Sequence, residues 1–425
     1  MAQSIKGTRD LFGNELNWFQ YIEDAAKCTF RRHGYLEIRT PILEDINIFK
    51  RSIGESSDIV HKEMYDFIDK GGRHITMRPE NTAGVVRAAI QHKLFVNNDP
   101  QLFYYIGPMF RYERMQAGRF RQFWQIGTES LGVASPESEV ESMLMLYDLL
   151  QELGLEQISF SINSIGSTKT RSAFHSAFAT FFQANKENFC EECHRRIYEN
   201  PIRVLDCKIA RCQEALEGHP SLIDFLDTPS LEHHERIKNL LTELRIPFEE
   251  NPRLVRGLDY YTHTVFEVIS KTLGAQSAIL GGGRYDGLVQ QLGGPSIPSF
   301  GWSIGLDRLA MLLQQKQGDA KYNPPTLLIP LGSNATTQSL VLARDWWRQG
   351  LNIQIDTRGI NLKKVLATAN RLNFQLALIL GDEEIRQDII TIKYLNTGQQ
   401  ETWKINEVPT KLRHWLHINQ SSRNF

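Results

Sequence analysis

Cysteine is scarce, at five in 425 residues, and four of the five lie in one short region, so no disulfide scaffold is expected. No stretch approaches eighteen consecutive apolar residues, which excludes a membrane-spanning helix. The N-terminus, MAQSIKGTRDLFGNE, lacks an apolar run and does not read as a signal peptide. Net charge is −1, so no whole-protein basic field advertises a nucleic-acid partner. These absences leave a soluble, cytoplasmic protein with no membrane partner as the expectation. A chain of this length should hold two or three domains.

The most informative stretch is Phe103 to Gly132, FYYIGPMFRYERMQAGRFRQFWQIGTESLG. Two extended, aromatic-rich runs flank a polar turn, Met115–Gly118. Alternation puts Arg111 and Glu113 on one face of the first run, and Arg121, Gln125 and Glu129 on one face of the second. Paired as a hairpin, the runs can gather these five side chains on one side of a sheet. Such a face makes a poor core and a good floor for a ligand with both anionic and cationic groups. A solvated outer face is the alternative. Charge is local here: four arginines and one glutamate lie between Arg111 and Arg121.

Taken in order, Leu16 to Arg32 has helical spacing and ends before Gly34. YLEIRTPILED reads as a strand broken by Pro41, an edge or a turn. His74–Met77 reads as a strand and Ala83–His92 as a helix. Pro79 and Thr82 are ordinary helix-start residues, whereas Glu80 sits at a strand-to-helix junction where side chains often face a pocket. A helix over Glu137–Gly154 and a strand over Ile158–Asn163 follow, then a polar, helical insertion over about 168–228.

That insertion holds Cys190, Cys193, Cys207 and Cys212. A C-x2-C followed by a distant C-x4-C has roughly the spacing of a zinc site. Free thiols on helices are the alternative, since the second pair is not C-x2-C and no knuckle glycine follows either pair. In VRGLDYYTHTVFEV, alternation separates Tyr261, His263, Val265 and Glu267 from Tyr260, Thr262, Thr264 and Phe266. AILGGGRYDG carries three consecutive glycines, which let a ligand or strand approach the backbone. It has neither Walker A nor Rossmann spacing. SFGWSIGLDRLAMLLQQ passes from strand to helix, with Arg308 in the first helical turn, where the helix dipole also favours a polyanion. A polar linker over residues 316–325 precedes an alternating β/α pattern with twelve Lys/Arg against eight Asp/Glu. That pattern predicts a compact α/β domain.

Together these segments resemble the histidyl-tRNA synthetases, a family of class II aminoacyl-tRNA synthetases, over almost the whole chain. KGTRD opens the resemblance. The Pro41 stretch looks like class II motif 1, Phe110–Glu129 like motif 2, and Gly301–Leu313 with GLDR like motif 3. Arg256-Gly257-Leu258-Asp259-Tyr260-Tyr261 and Gly281-Gly282-Gly283-Arg284-Tyr285-Asp286-Gly287-Leu288 are specific to the histidyl enzymes. Small departures are His263 in place of Gly, Lys or Arg, Asn81 in place of Gly, and Trp302 in place of Phe.

The resemblance implies an α+β catalytic core at 1–322, an antiparallel sheet flanked by helices with the insertion at 168–228. It also implies an α/β anticodon-binding domain at 323–425. It implies a homodimer acting on L-histidine, ATP with Mg2+ and tRNA(His), with no tightly bound cofactor. The four-cysteine set is not a general family feature, so no metal site is expected. Arg111 would bind the α-phosphate, Glu113 the adenine edge and Arg308 the γ-phosphate. Arg256 would bridge the histidine carboxylate and the α-phosphate. Glu80, Thr82 and Gln125 would hold the α-ammonium, Glu129 and Tyr261 the imidazole, with Tyr260 and Tyr285 in the histidine pocket. Gln116, Arg119 and Arg121 would reach the acceptor end of tRNA, and Lys363, Lys364 and Arg371 its backbone. The competing reading is a regulatory paralogue of ATP phosphoribosyltransferase. Such proteins lack the anticodon domain and have a degraded Arg-Gly-Leu-Asp-Tyr-Tyr run, and both are intact here.

Overall fold

The computed structural model describes residues 2–54, 57, 59–95, 99–116, 118–270, 278–320 and 325–421. Ala117 of the predicted turn and residues 321–324 of the predicted linker, which include the predicted boundary at 322/323, lie outside them. The chain divides into two compact units on either side of Ala320 and Lys321.

Among the described residues, the first unit is built on an eight-stranded sheet. Its order is Leu36–Glu37, Gln101–Phe110, Gln122–Leu131, Ser299–Gly305, Ala278–Arg284, Thr262–Ser270, Ile158–Ser164 and Phe248–Glu250. The inner pairs are antiparallel, whereas the short strands at both edges pair parallel. The sheet is therefore mixed, with the expected antiparallel ladder at its centre.

Strand alternation sorts the side chains into two cores. Tyr104, Ile126, Phe160, Ile162, Phe266 and Phe300 bury one face under the helices Gly13–Arg32, Pro136–Glu152, Thr228–Glu243 and Leu306–Gln317. Phe103, Tyr105, Leu131 and Val265 belong to the other core, with the helix Thr82–Gln91 and the insertion. The helices therefore seal one face, and the second is partly open.

Pro41 does break the stretch around it, and the two pieces enter different sheets. Leu36–Glu37 edges the large sheet, while Leu43–Asp45 pairs with His74–Met77 in a three-stranded sheet completed by Tyr65–Ile68. Tyr65–Ile68 and the helix Ile46–Ile53 had no clear sequence signal, since both are short. The departures noted in the sequence have local partners. Trp302 donates from Nε1 to Ser142 Oγ at 3.1 Å. Asn81 Oδ1 accepts from Thr40 Oγ1 at 2.5 Å. His263 adopts φ 48°, beside a register shift between Gly283 and Arg284.

In the second unit a five-stranded sheet runs Ile353–Ile355, Thr326–Leu331, Leu376–Gly381, Ile389–Tyr394, Gln400–Lys404. Its first three strands are parallel and its last two antiparallel. The helices Ser333–Arg348 and Leu362–Arg371 supply the crossovers.

Phe160 is fully buried 5.5 Å from Phe266. Phe160→Ala should destabilise the first unit by about 3–5 kcal/mol, read as a lower urea midpoint for the unfolding transition of that unit.

Candidate active site

On the partly open face lies a cavity of about 390 Å3. Eleven of the residues given a site role in the sequence line it: Glu80, Thr82, Arg111, Glu113, Arg119, Gln125, Arg256, Tyr260, Tyr261, Tyr285 and Arg308. Glu129 lies just behind this wall, and Gln116 and Arg121 do not line it.

Glu129 is the buried anchor, 1% exposed. Its Oε1 accepts from Thr82 Oγ1 at 2.7 Å, and its Oε2 from the Tyr285 hydroxyl. Tyr105, on the neighbouring strand, lies close enough to the same carboxyl group for its hydroxyl to help hold the pKa down. Gly301 makes this possible, because a Cβ there would overlap Glu129 Oε2. Burial pushes the Glu129 carboxyl up to about 8, against the pull of these hydroxyl donors.

Glu80 serves two purposes. Its carboxylate accepts the backbone N–H groups of Thr82 at 2.7 Å and Ala83 at 3.0 Å, capping the helix Thr82–Gln91, and it also faces the cavity. Burial raises its pKa, partly offset by those two amides. Gln125 Oε1 is buried with no hydrogen-bond partner among the described residues. An acceptor in that position calls for a donor from a ligand.

The expected faces hold only in part. The strands stop at Phe110 and resume at Gln122, so Arg111 and Glu113 sit in the connection rather than the ladder. The ladder still continues by one bond, Arg111 N–H to Arg121 O at 2.9 Å. Arg111 is fixed by donating from Nε to Pro79 O at 2.8 Å, and Glu113 lies 3.7 Å from it and 3.5 Å from Arg119. Arg121 leaves the group altogether: its guanidinium stacks 3.6 Å over Tyr112, and its backbone N–H donates to Gly7 O at 2.8 Å. Gln116 is exposed at the tip, bridged to Arg119. Tyr260 and Tyr261 both line the cavity, although alternation separates them, because the strand begins only at Thr262.

Arg256 pairs with Glu267, which alternation had placed on the Tyr261 face without a role. Its guanidinium lies against Gly281, where a Cβ would come within 2.5 Å of Cζ. That close approach is the work of the first glycine of the triplet. Asp307 ties three segments together: it accepts Arg9 Nη2 at 2.7 Å and the Trp124 backbone N–H at 2.8 Å, one residue before Arg308. Burial, with the charge of Arg119 adding to it, lowers the Arg308 pKa. An anion would relieve the crowding of these two cations.

An antiparallel floor with Arg111 where its hairpin ladder ends, and Arg256 and the helix-start Arg308 around the same cavity, fits the class II aminoacyl-tRNA synthetases. The Histidyl-tRNA synthetase family model matches residues 7–179 and 199–309, and an Anticodon binding domain model matches 326–415. The chain belongs to the histidyl-tRNA synthetase family. It is 43% identical over 400 residues to the histidine–tRNA ligase of Rippkaea orientalis, covering 94% of this chain and 93% of that one. It is 44% identical over 399 residues to that of Trichlorobacter lovleyi, covering 93% and 94%. Among solved structures, apo histidyl-tRNA synthetase of S. aureus superimposes with a TM-score of 0.80 at 33% identity, covering 97% of this chain and 99% of that one.

The raised pKa of Glu129 gives a signed expectation. The folded protein holds this proton more tightly than the unfolded chain does. Glu129 therefore lowers stability progressively as pH rises from the ordinary carboxylate range to about 8, and no further above it. Infrared spectra of the ligand-free protein should show a protonated-acid carbonyl band at about pH 6 that is gone by about pH 10. Glu129→Gln should lack the band at both values; an unchanged band in that variant would assign the proton elsewhere.

Proposed function

We propose that this cavity activates L-histidine with ATP, forming histidyl-adenylate and pyrophosphate, and then passes the histidyl group to the 3′ end of tRNA(His), releasing AMP. The observation that carries the reading is the convergence in one cavity of Arg256 with Tyr260, Tyr261 and Tyr285, beside Arg111 and Arg308. The first nucleophile, the histidine carboxylate, is already ionised, so no general base is required. Rate enhancement comes from positioning and from stabilising charge at phosphorus.

In this reading Arg111 binds the α-phosphate, Glu113 the adenine edge and Arg308 the γ-phosphate. Mg2+ enters as part of the ATP substrate. Arg256 bridges the histidine carboxylate and the α-phosphate with its planar fork. Glu80, Thr82 and the unpartnered Gln125 Oε1 hold the α-ammonium. Glu129 and Tyr261 bond the imidazole nitrogens, with Tyr260 and Tyr285 closing the pocket. Buried polar groups that need an imidazole reject side chains without one, by on the order of 10^4-fold.

Gln116 and Arg119, exposed on the connection between the motif 2 strands, reach the acceptor end of the tRNA. Arg121 acts there through its stack on Tyr112. Lys363, Lys364 and Arg371 are exposed on the helix Leu362–Arg371 and offer charge to the tRNA backbone. A homodimer is supported by the exposed Leu36, Ile42 and Leu43 around Pro41, beside exposed Phe67 and Ile68. Among the described residues no helix is long and apolar enough to cross a membrane; we place the protein in the cytoplasm, with its tRNA. The regulatory reading gains nothing from the site, where the Arg256–Tyr261 run is whole and lines the cavity at Arg256, Tyr260 and Tyr261.

Exchange of labelled pyrophosphate into ATP, run with each of the twenty amino acids, should proceed with histidine alone. Arg256→Ala should lower that exchange by roughly 10^2–10^3-fold while circular dichroism stays unchanged, and Arg256→Lys should recover little of it. Exchange retained in Arg256→Ala would remove Arg256 from the reaction.

A further inference from the structure

The insertion folds two short-spaced cysteine pairs onto one another. The Sγ atoms of Cys190, Cys193, Cys207 and Cys212 all lie within 4.8 Å of one another. All four residues are buried and none is in a disulfide. Cys190 Sγ and Cys207 Sγ are 3.9 Å apart. Four thiolates at the usual Zn–S distance of about 2.3 Å form a tetrahedron with edges of about 3.8 Å. An iron–sulfur cluster needs room for its own iron and sulfide between the thiolates, and this group has room for one ion.

The local fold presents the sulfurs as a metal knuckle would. Cys190 precedes the helix Glu191–Glu199 and Cys193 lies in its first turn. Cys207 follows the 3-10 helix Pro201–Asp206, and Cys212 sits in the short helix Ala210–Ala215. The Cys190 backbone N–H donates to Cys212 Sγ at 3.2 Å. Amide donation of this kind orients a ligating thiolate and disperses its charge.

We propose that these four cysteines bind one Zn2+ as a closed, structural site. All four positions of the tetrahedron are filled by protein, so no position is open for a substrate or water. The thiols lose their protons to solvent as the metal binds. This reverses the expectation, drawn from the family resemblance, that the chain holds no metal. The family model leaves residues 180–198 unmatched, and Cys190 and Cys193 fall within that gap.

The site has a structural consequence. Asn200 and Arg203 lie between the two ligand pairs. Arg203 Nη2 donates to Gly257 O at 2.6 Å, and Asn200 Nδ2 donates to Asp259 Oδ1 at 3.0 Å. The metal thus fixes the segment that grips the loop carrying Arg256.

The test is elemental analysis of the full-length protein, purified under reducing conditions and dialysed without chelator. One zinc per chain is expected. A Cys193→Ser/Cys212→Ser double variant should lose at least nine-tenths of it, while Cys28→Ser, altered at an exposed cysteine outside the group, should keep it. Zinc retained in the double variant would overturn the proposal. So would protein that holds no zinc as purified and takes up none when zinc is added with reductant. If the double variant is insoluble, Co2+ exchanged into the unsubstituted protein decides. Intense thiolate-to-cobalt charge-transfer bands with tetrahedral d–d absorption support the site, and their absence overturns it. None of these readouts depends on aminoacylation.

Discussion

The candidate site depends on one buried carboxyl group. Glu129 sits in the central ladder with no solvent of its own, held by the hydroxyls of Thr82 and Tyr285. Those donors come from separate parts of the chain: a helix start and a loop after the glycine-rich strand. Moving any of them would leave a buried oxygen unpaired, which costs more than an ordinary hydrogen bond contributes. The requirement also explains Gly301, because the strand Ser299–Gly305 must pass Glu129 without a side chain at that point. The group proposed to select the imidazole thus also ties together the pieces around it.

Around this anchor the cations are spaced rather than clustered. Arg111 is tied to Pro79 O, Arg256 to Glu267, and Arg308 follows the aspartate that binds Arg9 and the Trp124 amide. The Arg111 and Arg256 guanidinium groups are oriented before a ligand arrives, so less ordering remains for binding to supply. The glycine triplet contributes by omission, leaving at Gly281 the space that the Arg256 guanidinium fills.

Much of this was legible in the residues. The strand-to-helix junction at Glu80, the polar hairpin and the position of Arg308 all follow from period and punctuation, and eleven of the named residues meet in one cavity. What was not legible depended on where strands end. Alternation assigned Arg121 to the pocket face and split Tyr260 from Tyr261, but all three lie just outside strands, where the period of two no longer applies. Tyr105 and Glu267 read as ordinary strand residues, because their partners are distant in sequence. Nor could spacing alone bring Cys190 and Cys193 to Cys207 and Cys212; the two short helices between them do that.

The central claim is that Glu129 reads the imidazole. The direct measurement is calorimetric titration of L-histidinol, which keeps the imidazole and the ammonium but has no carboxylate, into the native protein and into Glu129→Gln. The account predicts that the substitution weakens binding by at least about tenfold, the cost of losing the buried carboxyl as the partner of an imidazole nitrogen, with the fold unchanged by circular dichroism. Equal affinity in the two proteins would contradict it and move imidazole recognition to other groups.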